Sequence, residues 1–347
     1  MKISKEKKNN NIKGITLIVL ILIIVALIAV VGVIVTLVVQ LNKNNTEISN
    51  NEISSQNIIN AENDNSESKK TEKKERKKAT VPEGFYHIEG TTEEEGFVIS
   101  DVEGDDLDNT AGGNQYVWIP VDGILGEDGT IDDVKDGEIL LGRYEFEEDG
   151  TPKEVQDVYK EKVFSAKEEE ISEESTAAKD IEGFIDSVRE NGGYYFARFE
   201  ASQGENNKVE SKYNKPVWNN VTRGEASNLC QDLYTNITSD LINSYSWDTA
   251  ILFIQKYGQN NYSQQKSLNE GLHPINTGMS GDVQLNICDM GSNCLEWTTE
   301  TMSKWFPCVA RGGCYSRVGT SSNTSLRFPG ENSGKGEIES FRSILYL

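Results

Sequence analysis

The sequence predicts an α+β fold carried behind a single membrane-spanning helix, and three observations predict it. The first is an apolar run from Ile15 to Leu41 that contains no charged residue. The second is a series of short β-branched and aromatic runs, divided by Gly, Asp and Asn, that begins just after Pro82. The third is a small number of capped, amphipathic helical stretches threaded between those runs.

Taken in order, residues 1–14 are a basic leader holding Lys2, Lys5, Lys7, Lys8 and Lys13. Residues 15–41 follow. At about 1.5 Å per residue this run exceeds the roughly 30 Å of a bilayer core, and a helix satisfies all of its own backbone polar groups there. The lysines before it place the N-terminus in the cytoplasm and everything from residue 42 onward outside. The run is too long for the apolar centre of a cleaved signal peptide and lacks an A-x-A-like site. The phrase Lys13-Gly14-Ile15-Thr16-Leu17-Ile18-Val19 resembles the prepilin leader of bacterial type IV pilins and type II secretion pseudopilins. That resemblance implies cleavage after Gly14 and a new N-terminus at Ile15. Val19 stands where the family has Glu, a residue that helps to register subunits in a pilus, so a plain anchor stays open beside the prepilin reading.

Residues 42–80 are rich in Asn, Ser, Glu and Lys, lack aromatic residues and end in the run KKTEKKERKK. A segment with so little to bury cannot offset its ordering entropy, and it is expected to be a disordered stalk. Net charge divides at the same boundary. The 347 residues carry −22 overall; residues 1–80 hold 13 basic and 8 acidic side chains (+5), leaving 21 basic against 48 acidic (−27) for residues 81–347. An ectodomain this acidic is repelled by nucleic acid and by anionic surfaces.

Within residues 81–347, strands are expected around Phe85-Tyr86, Phe97-Val98-Ile99, Tyr116 to Val121 and Tyr194 to Phe199, with Pro120 at a strand end. Residues 145–182 carry 14 acidic residues against 5 lysines, and Val155, Val158, Tyr159 and Val163 fall at helical spacing, which predicts an exposed helical insertion. A helix follows with Asp180 as N-cap, Ile181, Phe184, Ile185 and Val188 on one face, and Gly192 beyond its end. Thr222 and Glu225 mark a capping box ahead of Ala226, Leu229, Cys230 and Leu233. A further helix is expected from Ser246 through Trp247, Ala250, Ile251, Ile254 and Tyr257, closed by Gly258. These last two read as core helices.

The C-terminal third carries three ordered phrases: Asp289-Met290-Gly291-Ser292-Asn293-Cys294-Leu295-Glu296-Trp297-Thr298, then Val309-Ala310-Arg311-Gly312-Gly313-Cys314-Tyr315, then Ser340-Phe341-Arg342-Ser343-Ile344. Together they resemble the formylglycine-generating enzyme (sulfatase-modifying factor) family, whose phrases run approximately D-M-x-G-N-V-W-E-W-T, R-G-G-S-[WF] and G-F-R. Upstream, Val117 to Val121, Ala197-Arg198-Phe199-Glu200 and Leu241 to Asp248 are similar to the family's opening strand, its R-Y-E strand and its L-P-T-x-x-E-W-E helix start. The resemblance spans residues 115–347. It implies a variant C-type-lectin fold with small antiparallel sheets, two core helices and much irregular loop.

What the resemblance implies for chemistry is divided. Active members bind copper through two cysteines five apart, just after R-G-G-S, and oxidise a substrate Cys. Here no second cysteine follows Cys314, so the copper dithiol is not in its expected place. Cys308 precedes Cys314 by six and offers a displaced pair; Cys288 and Cys294 have the same spacing. Outside the cell, four such cysteines are expected to form structural disulfides in one of three connectivities, with free buried thiols as the alternative, while Cys230 reads as core. The D-M-x-x-N-x-x-E phrase implies a calcium site whose ligands would be the Asp289 and Glu296 side chains and the Ser292 and Cys294 carbonyls, the hard oxygen donors that Ca²⁺ prefers. Arg311 and Trp297 are expected to support the fold. The two histidines, His87 and His273, stand far apart and argue against a Ser/His/Asp triad or a three-His iron site.

These observations lead to a surface-displayed, single-pass protein whose ectodomain binds and does not catalyse. Its ligand, a glycan or a protein, would be met along Tyr315 to Ser340. Two other readings stand beside it: an extracellular copper-dependent oxidoreductase using Cys308 and Cys314, and a minor pilin or pseudopilin working with a pilus or secretion apparatus.

Overall fold

The computed structural model describes residues 76–125, 131–132, 139–156, 158–161, 180–303, 306–317, 322–331 and 333–347. The chain divides into two units, 1–72 and 73–347, and every described residue belongs to the second. The expected leader, membrane run, processing residues Gly14 and Ile15, and the stalk through residue 75 lie outside the described residues. Among the described residues no helix is long and apolar enough to cross a membrane.

Among the described residues the architecture is α+β, with three α-helices and several small sheets. Strands β1 (Tyr86–His87), β2 (Val98–Ser100) and β3 (Gln115–Pro120) come first, then β4 (Gly123–Leu125), β5 (Ile131–Asp132), β6 (Leu140–Leu141), β7 (Tyr144–Phe146) and β8 (Pro152–Glu154). Helix α1 (Ile181–Asn191) leads into β9 (Gly193–Ala197), β10 (Ser202–Gln203) and β11 (Val209–Glu210). Helix α2 (Arg223–Cys230), β12 (Thr238–Leu241) and helix α3 (Ser244–Tyr257) follow. The remainder holds β13 (Val283–Gln284), β14 (Ile287–Cys288), β15 (Leu295–Thr298), β16 (Cys308–Arg311), β17 (Arg327–Gly330), β18 (Glu339–Phe341) and β19 (Ser343–Tyr346).

The largest sheet has the order β1-β2-β3-β9-β19-β12 and is antiparallel throughout. Its central strands are buried on both faces, which is why β3 reads as one apolar run with no polar alternation. Val117, Ile119, Phe196 and Ile344 join the main core with α1 and α3. Tyr116, Trp118, Tyr195 and Leu345 form a second core on the opposite face, closed by Phe85, Ala79 and Tyr234. Residues 76–80, the end of the stretch read as stalk, lie against this domain: Arg76 pairs with Asp122 and donates to the Tyr257 hydroxyl, and the Tyr195 hydroxyl donates to the Thr80 carbonyl.

The helices follow their local signals. The Asp180 side chain accepts the Gly183 N–H at 2.8 Å, and Gly192, at φ 78°, ends α1 in the left-handed conformation that glycine adopts without a Cβ clash. Thr222 and Glu225 form the expected capping box on α2, which stops at Cys230, so Leu233 falls beyond it. Helix α3 starts two residues before the expected Ser246. Asn243 caps it, and Ser246 is the reciprocal partner of that cap, a box the sequence reading passed over because Ser replaces the usual Glu or Gln.

The acidic insertion departs from its expected helix. Its described residues form the β7–β8 hairpin, turned at Gly150 (φ 88°), then a turn closed by the Tyr159 N–H on the Gln156 carbonyl at 3.0 Å, and a bridge between Lys160 and Thr301. Tertiary partners override the helical spacing of Val155, Val158 and Tyr159: the Tyr159 ring lies under the Arg327 guanidinium, and Glu161 accepts the Ser244 N–H and the Thr299 hydroxyl. Residues 157 and 162–179 lie outside the described residues.

A second sheet, β17-β16-β15-β18, carries the family-like phrases. β15 and β16 are antiparallel with Glu296 opposite Arg311, and β18 joins β15 in parallel with Ser340 opposite Glu296. The three phrases, up to about fifty residues apart in sequence, are thereby side by side.

Candidate functional site

The residues singled out by sequence gather around two buried ionic groups in this second sheet. In the first, Arg342 reaches Glu296 with Nε at 2.6 Å and with Nη2, while its remaining N–H groups donate to the Ala197 and Cys288 carbonyls at 3.0 and 2.9 Å. Burial opposes the guanidinium charge, but Glu296 outweighs burial and holds the Arg342 pKa above its ordinary value. Glu200 stands beside this pair, accepting the Asn293 amide at 2.5 Å and the Cys294 N–H at 2.9 Å. Burial, then Asp289 and Glu296, push its carboxyl well above the usual range. Asp289 accepts the Gly278 N–H and the Ser280 hydroxyl, each at 2.5 Å.

The residues of the expected calcium site, Asp289, Ser292, Cys294 and Glu296, are all buried. Glu296 is occupied by a guanidinium, Asp289 by donors of the 278–280 loop, and the Ser292 hydroxyl accepts the Leu268 N–H at 2.9 Å. Among the described residues no group of three or more His, Cys, Asp or Glu is arranged to hold a metal ion.

The second group was not visible in the sequence. Asp248, on α3, accepts Arg311 Nη2 at 2.5 Å and Arg327 Nη2 at 2.7 Å. Glu300 accepts Arg327 Nε at 3.0 Å and Arg143 Nη2 at 2.8 Å. Burial works against the Glu300 charge, yet Arg327, Arg311 and Arg143 together hold its pKa below the ordinary value. Arg311 and Trp297 are wholly buried, as their expected supporting role requires, and Trp297 Nε1 donates to the Val221 carbonyl at 3.0 Å. No motif announces this group, because its members come from β7, α3, the strand ends of β15 and β17, and β16. Only the presence of several charged residues inside apolar stretches, as at Asp248, could have signalled it.

The cysteines correct the disulfide expectation. All five, Cys230, Cys288, Cys294, Cys308 and Cys314, are buried and none is in a disulfide. Cys308 and Cys314 are not brought together. Cys308 opens β16 opposite Gly330, within hydrogen-bonding range of the Arg223 guanidinium, and burial pushes its thiol up. The strand carries the chain about 10 Å away from Cys308 before Gly312 (φ 90°) turns it into Cys314. The Cys314 Sγ instead lies 3.6 Å from the Ser316 hydroxyl.

The face beyond these groups is built from loops. The Tyr315 carbonyl accepts the Gly271 N–H at 3.2 Å, the Asn293 amide oxygen accepts the Ile275 N–H at 3.0 Å, and His273 approaches Glu337 at 3.4 Å. Leu268, Leu272, Ile275, Met279 and Val283 are exposed along this stretch, Leu272 at 87%. Arg317 stacks over the Phe328 ring at 4.0 Å. The chain matches no protein-family model and no curated protein.

Proposed function

We propose that residues 81–347 form a non-catalytic binding domain of the formylglycine-generating-enzyme type, with the variant C-type-lectin fold, displayed outside the cell on the apolar anchor of residues 15–41. One observation carries this reading. The chemistry-bearing residues of the family-like phrases are buried in mutual pairs that build the scaffold, Glu296 with Arg342, Glu200 with Asn293 and Arg311 with Asp248. Of the thiols left to serve as a copper site, Cys308 opens β16 and Cys314 lies beyond the end of that strand, past the turn at Gly312. What the domain offers to solvent is a loop face with exposed apolar side chains at residues 268–283 beside Tyr315 and Arg317. Such concentration of apolar surface on irregular loops suits recognition of a protein or glycan ligand.

The full chain in detergent, given Cu(I), oxygen and a Cys-x-Pro-x-Arg peptide, tests the reading by mass spectrometry of the peptide. No conversion and no copper uptake are expected. Conversion abolished by both Cys308→Ser and Cys314→Ser would establish the displaced oxidase site and overturn the binding reading.

A further inference from the structure

Two of the five buried thiols are carried by segments that touch, although twenty residues separate them in sequence. The Asn293 carbonyl accepts the Tyr315 N–H at 2.8 Å, and Gly313 packs so tightly on Gly291 that a Cβ on it would fall 1.9 Å from the Gly291 carbonyl oxygen. On the other side of Cys294, Glu296 lies opposite Arg311 in the β15–β16 ladder. Cys294 is thus held from both flanks against the turn that carries Cys314. The two sulfurs also sense each other: burial, then Glu200, then Cys314 raise the Cys294 thiol, and both cysteines act on the Tyr315 phenol.

The backbone at this crossing favours close approach. The Cys294 N–H goes to the Glu200 carboxyl and the Cys314 N–H to the Ser322 hydroxyl, so both are taken by side chains. The Asn293–Tyr315 hydrogen bond lies one residue along from each cysteine, which brings their Cα atoms toward the roughly 4.4–6.8 Å that a disulfide spans. The other thiols lie elsewhere: Cys308 beside Arg223, Cys288 near Arg198 and Arg342, and Cys230 near Asp240.

We propose that Cys294 and Cys314 are a disulfide-forming pair, closed by exchange with a small-molecule disulfide such as oxidised glutathione, and that this is the bridge the fold accepts. In the exchange one cysteine thiolate attacks the small disulfide and releases one thiol; the second cysteine then displaces the remaining half as a second thiol. The protein loses two protons and two electrons, and the small disulfide gains both. The bridge would fasten the start of β15 to the Tyr315 turn, and the proposal stands whether or not the domain is a binding module.

The test uses the full chain in detergent, exposed to oxidised glutathione both in the folded state and during refolding from denaturant, so that burial cannot hide the thiols. Alkylation in denaturant and peptide mapping then locate the bridge. The expected result is the loss of two hydrogen masses, one cross-linked peptide pair containing Cys294 and Cys314, and three alkylated cysteines. Cys314→Ser should abolish the bridge and leave four alkylated cysteines, whereas Cys308→Ser should leave it intact. Five alkylated cysteines under both regimes, or a bridge that includes Cys288 or Cys308, would overturn the proposal.

Discussion

Replacing Arg342 by Met tests whether the buried guanidinium holds the second sheet to the first. The substitution removes both hydrogen bonds to Glu296 and the donations to Ala197 and Cys288, and it leaves Glu296 ionised beside Asp289 and Glu200 with its counter-charge gone. Breaking one side of a buried pair costs roughly 3–5 kcal/mol, a large part of the 5–15 kcal/mol that stabilises an ordinary domain. At about 2–4 °C per kcal/mol, Tm should fall by roughly 6–20 °C. Glu296→Leu with Arg342→Met removes the uncompensated charge as well and should recover about half of the loss, the rest being the two abandoned carbonyls. Burial already raises the Glu296 pKa, and without Arg342 it rises further. A raised carboxylate pKa stabilises the fold below the unfolded value and loses that contribution as pH rises, so the single variant should be penalised less at pH 5 than at pH 8. Urea unfolding followed by tryptophan fluorescence measures all three. A single variant within about 1 kcal/mol of the parent, or a double variant less stable than the single, would refute the reasoning.

Two further outcomes follow from the same region. Burial lifts the Asp282 pKa to about 6 from 3.8, so its contribution to stability is full below pH 4 and is lost as pH rises through 6. That amounts to about 3 kcal/mol at 1.36 kcal/mol per unit. Asp282→Asn, which keeps an acceptor for the Tyr262 hydroxyl and the Gly291 N–H, should flatten the stability profile between pH 4 and 7; parallel profiles for parent and variant would count against it. Gly313→Ala drives a methyl into the Gly291 carbonyl and should cost about 3 kcal/mol in chemical denaturation, while Gly271→Ala, whose Cβ meets nothing nearer than 3.5 Å, should stay within about 0.5 kcal/mol. Equal midpoints for the two variants would show that the close approach of these two loops does not matter.

The parts of the fold that were legible in the sequence are those fixed by near neighbours. Helix α1 is written out in Asp180, its apolar stripe and Gly192, and β3 in a run of aromatic and β-branched residues ending at Pro120. The misread insertion shows the limit of such reasoning. Val155, Val158 and Tyr159 have helical spacing, but Tyr159 and Glu161 find partners on β17, α3 and the loop after β15, and those contacts decide the backbone. The candidate site was half legible for a related reason. The phrases around Glu296, Arg311 and Arg342 marked the right strands, yet which cation meets Glu296 depends on a parallel pairing of β15 with β18 that no local pattern specifies. The i, i+6 spacing of the cysteines likewise invited pairings along the chain, whereas Cys308 opens β16 and Cys314 lies beyond its end, past the turn at Gly312.

The position of β19 bears on how such a domain is made. Residues 343–346 lie between β9 and β12 in the interior of the large sheet, joining strands that are themselves about forty residues apart in sequence. During synthesis the earlier strands emerge with β9 and β12 unjoined, and β12 has no neighbour in this sheet until residues 343–346 pair with it. Pairing across such separations is slow relative to local folding, and the waiting edges of β9 and β12 are open to other chains. The large sheet should therefore close in one late step, with β12 docking only as residues 343–346 pair with β9.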